Sequence, residues 1–214
     1  MKSIIVAFLG CLVVGCHVSR IDYRPPVDPL PVENSVVVDA PFDVLWPATV
    51  TLLSRQFFVI NNLDGASGLI NISFSANPID YCDCGIYSIT DKVSGEEQSK
   101  YPGASGYEVL TYWSDSGRKM RRERTVGLNA RANIVLEPMG SSTRATVTCR
   151  YAVDEIVHGG TVNGRYPFDL TSSAAFQTNG SGRTKYGMLC WPTGKFERDI
   201  LDLIRHAAQA KPAS

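Results

Sequence analysis

Apolar and polar residues alternate in two stretches of this chain. Val126, Leu128, Ala130, Ala132, Ile134 and Leu136 take every second place in the first. Ala145, Val147, Cys149, Tyr151 and Val153 do so in the second. A two-residue period sends one face of each segment into a core and the other into water, so both read as strands. Residues 138–142 between them have the length of a hairpin loop. Shorter strands are predicted at 35–39, 57–60, 82–90 and 107–113, and around Ile70, Ile72 and Phe74 after a turn at 64–68. Helical spacing appears twice. Phe42, Leu45, Trp46, Leu52 and Leu53 follow Pro41, with Pro47 implying either a late start or a kink. Phe196, Ile200, Leu203, Ile204 and Ala207 form the apolar stripe of a closing helix capped by Thr193, with Lys195, Arg198, Asp199, Asp202 and Arg205 opposite. Residues 91–106 read as a loop, and 158–185 give no firm pattern.

The order is strand, helix, several antiparallel strands, helix. Each helix has one apolar side to bury, and one sheet face can cover both. The expected fold is therefore α+β: two layers, an antiparallel sheet with two helices on one face, in a single domain over 34–210.

The first residues have a different texture. Lys2 precedes an apolar run at 4–14, too short to cross a bilayer but suited to a secretory signal. Leu12-Val13-Val14-Gly15-Cys16 resembles the lipobox of bacterial envelope lipoproteins. That resemblance implies removal of 1–15 and acylation of Cys16, with palmitate among its chains. Each buried methylene adds about 0.8 kcal/mol to such an anchor. His17, not Asp, is the second mature residue, which implies sorting to the outer membrane with the domain facing the periplasm. Residues 16–33 contain Pro25, Pro26, Pro29 and Pro31 and read as an extended tether, reaching ~50 Å at about 3.1 Å per residue.

A second resemblance covers the two ends of the domain. Val36-Val37-Val38-Asp39-Ala40-Pro41-Phe42-Asp43-Val44-Leu45-Trp46, then Phe57-Phe58-Val59-Ile60, residues 64–70 and the closing helix are similar to helix-grip domains of BamC-like envelope lipoproteins. It implies the two-layer helix-grip form and an accessory role in the envelope.

Of six cysteines, Cys11 leaves with the signal and Cys16 takes lipid. Cys82, Cys84, Cys149 and Cys190 remain, an even number in a compartment that permits disulfides. Cys82 and Cys84 are too close in sequence to pair without strain. Two pairings stay open: Cys84–Cys190 with Cys82–Cys149, or the crossed set. The resemblance of Asp83-Cys84-Gly85 and the late Cys190 to a recurring lipoprotein pattern implies the first. The paired C-x-x-C spacing of a zinc site is absent, and neither a metal nor another cofactor is expected.

Charge is balanced at 21 basic and 21 acidic residues, which gives no electrostatic case for nucleic acid. The local exception is Arg118, Lys119, Arg121, Arg122 and Arg124. Either this segment is a solvated strand edge guarded by charge, or it meets an anionic glycan, a lipid headgroup or an acidic partner. Tyr107, Tyr112 and Trp113 lie just upstream and read first as sheet packing. Among His17, His158 and His206, only His158 sits where a catalytic site could form, and no hydrolase, zinc-protease or phosphate-loop motif is present. The expected function is a lipid-anchored, non-enzymatic envelope protein that serves an envelope partner as accessory or scaffold. The alternatives are a helix-grip carrier of a small apolar or lipid ligand, and an envelope hydrolase with dispersed residues.

Overall fold

The alternating stretches pair as expected but run far beyond the alternation that marks them. The computed structural model describes residues 18–27, 31–56 and 58–209. In chain order its elements are β1 (Ser19–Arg24), β2 (Ser35–Val38), α1 (Phe42–Ser54), β3 (Val59–Asp64), β4 (Leu69–Ala76), α2 (Pro78–Tyr81), β5 (Cys82–Asp83), β6 (Ile86–Asp91), β7 (Glu97–Pro102), β8 (Tyr107–Trp113), β9 (Lys119–Met139), β10 (Ser142–Thr161), β11 (Phe168–Gln177), β12 (Gly182–Arg183), β13 (Leu189–Pro192) and α3 (Lys195–Gln209). The signal, the lipobox and Cys16 lie outside the described residues.

β9 and β10 form one antiparallel hairpin of 21 and 20 residues. Gly140, at φ 71°, supplies the left-handed conformation that its tight turn demands. Each long strand is shared by two neighbours. β8 pairs with β9 over Lys119–Thr125, and β4 pairs with it over Leu128–Val135. On the other side, β2 pairs with β10 over Thr143–Thr146 and β11 over Arg150–Gly159. With β3 on β4, this makes a seven-stranded sheet. Two small sheets flank it, ordered β1-β6-β7 and β12-β13-β5.

The expected α+β, helix-grip layering is corrected by this arrangement. Of the described residues 54% are strand and 17% helix, in three sheets and three helices. The added strands come from segments whose sequence hides them. β7 (Glu97–Pro102) lies inside the expected loop, and its mainly polar residues gain order from the ladder to β6. β1 lies inside the expected tether and pairs with β6 along its whole length. β11 and β12 fill much of 158–185. Backbone pairing, which a composition-based reading does not see, decides all four.

The inner face of the main sheet is buried in two parts. α1 and α3 cover the part near the hairpin turn, where Leu45, Leu53, Phe196, Ile200 and Ile204 meet Ile70, Ile72, Ile134 and Val147. α1 begins at Phe42, so Pro47 stands inside the helix, on its exposed side. The amide it lacks costs one helical bond. At the other end Ile89, Tyr101 and Leu110 form a separate small core beneath β1, β6 and β7. No helix of the described residues is long and apolar enough to cross a membrane.

Cys84 and Cys190 form a disulfide across 106 residues of sequence, tying the segment between β5 and β6 to β13 just ahead of α3. The second expected bridge is corrected: Cys82 and Cys149 are free and buried. The sheet ladders hold them in place, Cys82 opposite Pro192 and Cys149 opposite Ala132. Burial pushes the Cys82 thiol up to about 12 and the Cys149 thiol higher, and the Glu197 carboxyl nearby adds to both shifts.

Two predictions follow from the thiols. In the native protein at pH 8, Cys82 and Cys149 should stay unreactive to an aromatic disulfide reagent, and both should titrate in urea without reductant. Exchanging Cys84 and Cys190 together for Ala should lower the urea unfolding free energy by about 2–5 kcal/mol, the usual range for a native bridge closing a long loop.

Candidate functional site

Alternation divides the basic segment between two faces of β9. Arg122 and Arg124 point inward, while Lys119, Arg121 and Glu123 point the other way. Arg124 is fully buried. Its Nε donates to Glu155 Oε1 at 2.6 Å, and Nη2 donates to the Gly103 carbonyl at 2.6 Å and lies 3.1 Å from Met188 Sδ. Its guanidinium lies over the rings of Tyr87 and Tyr101, at 5.4 and 6.0 Å. Glu155, also buried, accepts from Ser172 Oγ at 2.9 Å through its second oxygen. Arg122 sits 4.0 Å from the same carboxylate with its side chain 17% exposed. These two arginines are structural, so the expected five-residue binding patch is corrected to its exposed remainder. Arg121 is paired with Glu123. Arg118 stacks over Tyr166 at 4.1 Å, and Lys119 lies 6.0 Å from the Trp113 ring centre.

Tyr107 is 60% exposed at the start of β8, whereas Tyr112 packs against the small core. His158 Nδ1 lies 2.6 Å from Asp169 Oδ1 across β10 and β11, with side chains 63% and 75% exposed. That pair stands on an open surface rather than in a cleft. Among the described residues, no group of three His, Cys, Asp or Glu side chains is placed to hold a metal.

The solvent face of the main sheet holds what the sequence reading missed. Amide ladders cross it: Asn61 Nδ2 donates to Asn71 Oδ1 at 2.9 Å, and Asn71 Nδ2 to Asn133 Oδ1 at 2.5 Å. Ser75 Oγ donates to Asn129 Oδ1 at 2.7 Å. Beside them opens a groove of about 630 Å³, whose polar lining is Ser73, Ser75, Asn129, Arg131 and Arg150. Arg131 and Arg150 stand directly opposite each other in the β9–β10 register. No carboxylate lines the groove, and among the described residues neither guanidinium has an ion pair. Like charges at opposed positions of a sheet repel, and an anion seated between them removes that repulsion. The Ser73 and Ser75 hydroxyls already donate to Asn61 and Asn129, and the Asn129 amide donates toward Asp154 at 3.5 Å, so the two guanidinium groups are the main donors such a ligand would meet.

Comparison with family models, with curated proteins and with solved structures finds no match. The groove is therefore read from its own chemistry. Its signal was available in the sequence. Eight places back from Met139 and eight forward from Ser142 fall Arg131 and Arg150, both at polar positions of the alternation.

Arg124→Ala should destabilise the fold by about 3–5 kcal/mol in urea, because it strands the buried Glu155 carboxylate. The double exchange Arg124→Met with Glu155→Leu should recover much of that loss. Alkaline pH should weaken the same region. Burial is the chief cause that raises Tyr23 and Tyr101 and pushes Tyr87 up to about 12. Unfolded tyrosines ionise near pH 10, so stability should be intact below that value and fall between about pH 10 and 12. Urea unfolding at stepped pH, beside the phenolate absorbance, measures this.

Proposed function

We propose that this chain is a lipid-anchored envelope protein that serves as an accessory or scaffold, holding an anionic envelope component in the groove on its sheet. The observation that carries the binding half of this reading is the opposed, carboxylate-free pair Arg131 and Arg150. The anchoring half rests on the register of Lys2, the apolar run and Leu12-Val13-Val14-Gly15-Cys16. The Cys84–Cys190 bridge supports an oxidising compartment. The carrier reading depended on the helix-grip layering that the fold replaces.

Both halves have direct tests. Cys16→Ala should leave a full-length precursor that takes up no labelled palmitate. Normal labelling of that variant would remove the anchor. Arg131→Ala and Arg150→Ala together should lower affinity for an immobilised phosphate-bearing polysaccharide about tenfold or more, equivalent to about 1.4 kcal/mol per decade. Arg144→Ala, on an exposed stretch of β10 outside the groove, serves as control. Equal retention of all three proteins would remove the groove from the function.

A further inference from the structure

The start of β1 is fixed at one end of the molecule. The Val18 carbonyl accepts from the Lys92 amide at 2.7 Å, and Ser19 Oγ accepts from the Trp113 amide at 3.1 Å. Ser19 Oγ also reaches Gln98 Oε1 at 3.2 Å. Cys16 stands two residues before Val18. Two residues span at most about 7 Å. Acyl chains on Cys16 therefore enter the bilayer beside this end of the domain.

Three turns meet there. The β6–β7 turn carries Lys92 and Val93, the latter 73% exposed. Lys92 Nζ pairs with Asp115 in the β8–β9 turn at 2.5 Å. The β10–β11 turn is tied to the same place by the Val162 amide, which donates to the Lys119 carbonyl at 3.0 Å. The Arg118 stack on Tyr166 makes the second tie. The surface so formed presents Val93, Val162 and Tyr166 with Arg118, Lys119 and Arg165. Among the described residues no carboxylate pairs with these three cations. Tyr166 is held outward at φ 53°, a backbone conformation that a bulky residue rarely adopts. Exposed aliphatics, an aromatic at the rim and unpaired cations are what a phospholipid headgroup layer accepts.

We propose that this three-turn end lies flat on the membrane, with Arg118, Lys119 and Arg165 against lipid phosphates, so that the domain is held at the bilayer rather than on a long tether. The inference rests on the proposed acylation of Cys16. Pro25 and Pro26 directly follow β1 and Pro31 precedes β2, so these prolines come after the first strand of the domain rather than between it and Cys16.

The three tryptophans allow a test. Trp46 packs beside Gly65 in the β3–β4 turn. That turn is near Val135, sixteen residues along β9 from Lys119 and so about 50 Å away at the usual rise. Acylated protein is reconstituted in phosphatidylethanolamine–phosphatidylglycerol vesicles that carry a headgroup spin label. Trp46→Phe with Trp191→Phe leaves Trp113 as the reporter, and Trp113→Phe with Trp191→Phe leaves Trp46. Trp113 emission should fall at least twofold, and Trp46 emission should barely change. Arg118→Gln, Lys119→Gln and Arg165→Gln, all in exposed positions, should together reduce the Trp113 effect by half or more. Equal quenching of the two reporters in protein whose mass includes the acyl chains overturns this inference and leaves the anchor intact. A mature mass without acyl chains overturns the anchor and this inference together.

Discussion

Arg124 and Glu155 are buried charges on the inner face of the β9–β10 hairpin, and either one alone in that place would cost several kcal/mol. Each of them therefore requires the other. A slip of one residue would turn one of them to the solvent face and leave the other alone in the core. The same guanidinium reaches the carbonyl of Gly103 and the rings of Tyr87 and Tyr101, while its carboxylate partner takes a hydroxyl from Ser172 on β11. The apolar alternation of both strands sets the hairpin register, and the ion pair adds a penalty against slipping while tying the hairpin to β11 and the β1-β6-β7 sheet. A purely apolar contact of the same size would be less selective, because oily surfaces tolerate sliding and a charge pair with fixed hydrogen bonds does not.

With the register set, the long hairpin acts as a beam with different duties along its length. Near its turn, the helices close the inner face with an apolar core. Toward its open end, the small sheet closes it with aromatic rings and the ion pair. The outer face is left to water, and its strands carry Asn, Ser and Arg in cross-strand rows. Recognition by such a face depends on backbone register, since the row containing Arg131 and Arg150 exists only while β9 and β10 are paired as they are. Stability and the proposed binding therefore draw on the same hairpin from opposite sides.

Much of this hairpin was legible in the sequence, because a buried face writes a two-residue period. The closing helix was legible for the same reason at helical spacing. β7 was not: Glu97, Gln98, Ser99 and Lys100 have no apolar alternation, and only pairing with β6 makes them a strand. β1 was obscured by the prolines that follow it, although Ile21 and Tyr23 alternate within it. The basic segment misled because a run of charges was read as one surface, whereas a strand sends successive residues to opposite sides. The pair that does share a surface, Arg131 and Arg150, is distant in sequence and emerges only when the turn is used to count the register. Cys84–Cys190 agreed with the pairing that the lipoprotein resemblance implied, and Cys82 and Cys149 did not.

The order of the cysteines has a consequence for how the chain matures. A polypeptide that emerges amino end first exposes Cys82 and Cys84, then Cys149, and Cys190 last among these four. Cys84 meets two thiols before its native partner has emerged. An oxidant that joined cysteines as they arrived would trap the wrong pair and leave α3 unfastened. Thiolate attack on a mispaired bridge can reshuffle it, but only while Cys82 and Cys149 are still accessible. Once the core closes over them, the correct bond is locked in by burial. Correct oxidation of this protein thus requires either that Cys84 stay reduced until Cys190 has arrived, or that any earlier bridge be exchanged before the sheet and helices come together.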